Sequence, residues 1–117
     1  MTTTETVQRS VDLLRESVRE RPALAGLADV YTLASQMGEL LNTAAGLLTH
    51  ASSECLNAAG DPNLRVDELG EPIDPASTAV RAGEAFQAAY EQVYRAAARV
   101  SQAQTLAGRL YVAGGGD

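Results

Sequence analysis

The chain predicts an all-α fold: a long antiparallel helical hairpin with a shorter N-terminal amphipathic helix, three-helix bundle-like. Three observations point there. Alanine fills 21 of 117 positions, and it is the best helix former and a poor strand former. Apolar residues recur at helical spacing through two long stretches. Between those stretches lies one segment of prolines, glycines and acids, the composition of a connection. The length suits one domain with one core, helical over 1–113, with 114–117 as a flexible Gly-rich tail.

The first helix is expected over about residues 3–20. Thr2-Thr3-Thr4-Glu5 fits a capping box, in which a threonine hydroxyl and a glutamate three residues on satisfy each other's backbone donors. Val7, Val11, Leu14 and Val18 then make one apolar face, while Arg9, Asp12, Arg15, Glu16 and Arg19 take the others. Interleaved acids and arginines suggest ion pairs along that surface. Pro22 disfavours helical geometry at Arg21 and suits the first turn of a new helix, so a bend is expected there.

The central helix is expected over 23–59. Leu27, Tyr31, Ala34, Gly38, Leu41, Ala45, Leu48, Ser52 and Cys55 form a heptad-like, coiled-coil seam. A second stripe runs beside it through Val30, Leu33, Met37, Leu40, Ala44, Leu47 and Ala51, so this helix has two sides to bury.

Gly60-Asp61-Pro62 stops the central helix and opens an acidic loop over 60–74. Asp74-Pro75 reads as a cap followed by a first-turn proline. The last helix is expected over 75–113, with its seam at Ala79, Gly83, Phe86, Tyr90, Val93, Ala97, Val100, Gln104, Ala107 and Tyr111. Glu91 and Arg95 stand in the favoured order for a helix-surface pair.

Two long helices joined by such a loop hide both seams only if they run antiparallel. A hairpin centred near Asp67 sets Leu48 opposite Phe86, Ala45 opposite Tyr90, Leu41 opposite Val93, Gly38 opposite Ala97 and Ala34 opposite Val100. Glycines at 26, 38, 46, 83 and 108 fall inside the expected helices, each costing about 1 kcal/mol relative to alanine. On the seam, Gly38 and Gly83 are expected to permit close backbone approach.

Folding back from Pro22, the first helix places Leu14 near Val30, Val11 near Leu33 and Val7 near Met37, and is too short to reach further. Leu40, Ala44, Leu47 and Ala51 are then the candidate protein interface, an apolar strip left for a partner or for the loop to cover through Leu64, Val66 or Leu69.

Charge narrows the partners. A net charge of −6 repels phosphate backbones and anionic lipid, so neither nucleic acid nor membrane is expected. The longest uncharged stretch, Leu40 to Ser53, is too short and polar to span a bilayer. No secretory signal is read at the start. Cys55 is the only cysteine, which excludes an internal disulfide and suits a reducing cytoplasm. Arginine without lysine, and scarce Ile, Phe and Asn, fit a GC-rich, bacterial genome.

Candidate chemistry is thin. His50 is the only histidine, and Cys55, five residues on, is rotated off its helix face. Counting from Asp61, the loop places Arg65 and Val66 where a calcium loop wants a ligand and glycine. Glu68 and Glu71 resemble half of the paired-glutamate pattern of helical nucleotide pyrophosphohydrolases, with Gly70 and Pro72 against a helix there. No catalytic residue, metal, cofactor or small-molecule substrate is expected. Size and hairpin shape resemble the small helical-hairpin substrates of type VII secretion, whose tryptophan-x-glycine marker has no counterpart in a chain without tryptophan. The likeness is one of shape and assigns no family.

The expectation is therefore a small non-enzymatic interaction protein, self-associating as a homodimer through the strip. The alternative is a regulatory adaptor, antitoxin-like or phage-encoded, that binds a different protein there.

Overall fold

A computed structural model describes residues 1–19, 24–67, 70 and 73–113. Three helices follow in order: α1 (Thr3–Arg19), α2 (Leu27–Ala58) and α3 (Pro75–Ala107). Helices α2 and α3 pack along their lengths as an antiparallel hairpin, the core of an all-α, bundle-like fold. The result is a rod with principal extents of 69 × 26 × 26 Å.

Both expected helix starts are built as their sequences dictate. Thr2 Oγ1 accepts the Glu5 backbone N–H at 3.2 Å, and Glu5 Oε2 accepts the Thr2 N–H at 3.3 Å, closing the capping box. At the head of α3, Asp74 Oδ2 accepts the Ser77 N–H at 2.8 Å, with Pro75 in the first turn.

Helix α2 begins at Leu27, not at residue 23. Gly26, expected inside a helix, precedes it with φ 96° and ψ −167°, a region essentially reserved for glycine that no helical path crosses. Asp29 reinforces the start, its carboxylate accepting the Ala25 N–H at 2.7 Å. Helix α3 ends at Ala107 rather than residue 113. Gly108 is its cap, and Arg109 and Leu110 close tighter turns onto Leu106 and Ala107. Tyr111, expected on the seam, lies beyond the helix and is 83% exposed. The bend at Pro22, cover by Leu69 and the tail 114–117 fall outside the described residues.

The expected register holds where contacts resolve it. Ser52 lies against Gly83, one turn beyond the pairing of Leu48 with Phe86. The buried residues are all small: Ala45 and Ser52 on α2, Gly83 and Ala97 on α3. On each helix they sit at one position of the heptad, so the two backbones close on small side chains and the larger ones are pushed to the flanks. A Cβ built on Gly83 would lie 2.9 Å from Leu56 Cγ and 3.2 Å from the Ser52 carbonyl oxygen. At Gly108 it would lie 2.9 Å from Tyr31 Cε2. Gly38 behaves differently: nothing lies within 4 Å of its absent Cβ, so the close approach expected there does not form.

Candidate interaction surface

The hairpin buries few apolar side chains, and that sets the character of its surface. Among the described residues only Ala45 and Ala97 are buried hydrophobes, and no large side chain is fully enclosed. On α2, Leu40, Ala44 and Ala51 are half-buried and Leu47 is 39% exposed.

Helix α1 lies further along α2 than its length suggested. Its N-terminal half stands across from the strip, and an open groove of about 970 Å³ separates Val7, Val11 and Leu14 on one wall from Leu40, Ala44 and Leu47 on the other. The expectation that the first helix stops short of Leu40 is thereby corrected: three of the four strip residues line this groove, and Ala51 lies outside it. Yet α1 does not close on them. Among the described residues no Cα atom of α1 comes within 8 Å of α2 or α3, whereas packed helices have axes only about 8–10 Å apart. The apolar walls therefore face each other without meeting.

A second apolar patch was missed because those residues were assigned to helix. Leu110, Tyr111 and Val112 follow the end of α3 and are at least 60% exposed. Its sequence signal was Gly108, a glycine close to the end of a helical pattern, which often marks a cap.

The polar candidates are spread out. His50 is exposed and Cys55 half-buried as a free thiol. Asp61 and Asp74 spend their carboxylates on local backbone, Asp61 Oδ1 accepting the Asn63 N–H at 2.9 Å. Glu68 and Glu71 fall outside the described residues. Among the described residues no three His, Cys, Asp or Glu side chains are grouped so as to hold a metal ion. No described helix is long and apolar enough to cross a membrane. On α1, Gln8 Nε2 bonds Asp12 Oδ1 at 3.0 Å in place of the expected ion pairs, and Glu91 and Arg95 stay unpaired among the described residues.

The fold and this surface define a class: an all-α helical hairpin with an appended amphipathic arm and an open apolar groove. Comparison with protein-family models, curated protein sequences and solved structures finds no match in any of the three.

Proposed function

We propose that this chain is a small non-enzymatic interaction protein that self-associates, as a homodimer, through the apolar face of α2 that carries Leu40, Ala44, Leu47 and Ala51. The observation that supports it is surface. The chain exposes 9353 Å², against about 6,100 Å² for a compact monomer of its mass. Its radius of gyration is 20.1 Å, where about 13 Å is usual for this length. Elongation alone raises the area of any rod, but here large apolar side chains share in the exposure: Leu14, Val30, Leu33 and Leu47 are each 38–39% exposed, and Leu13 and Val18 more so. An excess of about 3,000 Å² per chain is more than the roughly 1,000–2,500 Å² that each partner contributes to the interface of a permanent dimer.

Two groove walls held apart are also the geometry that admits a further helix, since an amphipathic helix laid in an apolar groove buries both sides at once. Sedimentation of Leu47→Glu beside the parent chain tests the reading. The substitution sets a charge on the groove wall, and the midpoint concentration for association is expected to rise at least tenfold with helical content unchanged. Identical sedimentation of the two chains contradicts it.

A further inference from the structure

We infer that the helix filling the groove is α1 of a second copy, and that two copies exchange their α1 helices to complete a four-helix bundle with both α2 helices. The inference rests on the self-association reading and names the element that carries it.

The cross-section of α1 is the first observation. At about 3.6 residues per turn, every charged side chain between Thr3 and Arg19 falls on one half of the helix. The other half carries two adjacent stripes, one of Val7, Val11, Leu14 and Val18, the other of Thr6, Ser10, Leu13 and Ser17. The hydroxyls of the second stripe are turned back onto their own helix: Thr6, Ser10 and Ser17 donate to the carbonyls of Thr2, Thr6 and Leu13 at 3.1, 3.2 and 3.0 Å. Hydroxyls bonded in this way leave water at little cost, so a whole half of α1 is fit for burial. A single facing surface takes a stripe about 100° wide, and a half-cylinder needs two neighbours. Yet α1 has no buried residue, and closing it on its own α2 would leave the second stripe in water.

The gap is the second observation. Neighbouring helices of a square bundle have axes about 8–10 Å apart, which sets diagonal ones about 11–14 Å apart. A diagonal placement agrees with α1 facing the strip across the groove while no Cα atom of α1 comes within 8 Å of α2. The two remaining corners then belong to α1 and α2 of the partner. The groove lies at residues 36–47 of α2, the middle of a helix that runs Leu27–Ala58, so a twofold axis there brings the partner's α1 to the same level and makes the contact twice. Counted on smooth cylinders about 10 Å across, the contacts of two exchanged 17-residue helices bury about 1,200 Å², and pairing of the α2 helices adds to that. Specific interfaces begin at about this area.

Disulfide mapping tests the exchange. In a Cys55→Ala background, a chain carrying Val11→Cys and Ala44→Cys is oxidised at a concentration where the parent associates. A disulfide from residue 11 of one chain to residue 44 of another, doubling the mass, is expected. The same disulfide closed within a chain of monomer mass means that α1 folds onto its own α2, and overturns the exchange. Absence of that disulfide from a chain that still sediments as a dimer also overturns it, while leaving self-association standing. A monomer at every concentration overturns both. Ser10→Glu, on the uncharged half of α1, is expected to weaken association at least tenfold with helical content unchanged, whereas Gln8→Glu, on the charged half, leaves it as it was. Equal association of the two variants contradicts the inference.

Discussion

Ser52 Oγ donates a 2.8 Å hydrogen bond to the Gly83 carbonyl oxygen, the one side-chain bond that joins α2 to α3 among the described residues. Both residues are buried, and a serine hydroxyl reaches a backbone carbonyl on the facing helix only because neither residue holds the helices apart. The bond therefore reports the close approach itself.

Gly83→Ala is expected to destabilise the hairpin by about 1–3 kcal/mol, the usual cost of overpacking, despite the gain in helix propensity. Leu56 is 47% exposed and can rotate away, but the Ser52 carbonyl, 3.2 Å from the new methyl, is backbone and must shift. Gly38→Ala and Gly46→Ala meet nothing within 4 Å and are expected to stabilise by about 0.5–1 kcal/mol. Urea unfolding of the three variants at one protein concentration checks both signs.

Ser52→Ala removes the bond and leaves a methyl of similar size. A loss of about 1 kcal/mol is expected. A double-mutant cycle with Gly83→Ala is expected to be non-additive, since the two changes act on one contact.

These residues also show how much was legible in the sequence. Heptad spacing set Gly83 on the seam and placed the register within a turn. The caps at Thr2 and Asp74 were legible because capping is local chemistry, complete within four residues. Gly26 and Gly108 were read as helix interior because a lone glycine inside an apolar pattern looks alike whether it packs or terminates. Coordinates separate the cases: Gly26 has a backbone angle other residues rarely adopt, and Gly108 has the Tyr31 ring against it. The strip residues were legible as an apolar stripe, but their distance from α1 was not, since it depends on the path between two helices and not on either helix's pattern.

Gly26→Ala is expected to cost about 1–3 kcal/mol, because its backbone conformation suits glycine almost alone. The loss should show as fraying at the start of α2, with faster amide exchange near Asp29 than near Ser52.

Leu41→Ala, on the seam, is expected to lower unfolding stability by about 2 kcal/mol, the lower end of the range for a deleted leucine because Leu41 is half-buried. Leu47→Glu is expected to leave the unfolding of dissociated chains almost unchanged. Thermal unfolding at concentrations below association separates the two effects, and equal losses would mean that the groove wall belongs to the hairpin core.

The most direct measurement is the molar mass of the unmodified chain by light scattering across a micromolar concentration series. The account predicts a rise from 12.3 kDa towards twice that value as concentration increases. A constant 12.3 kDa throughout the series would contradict it.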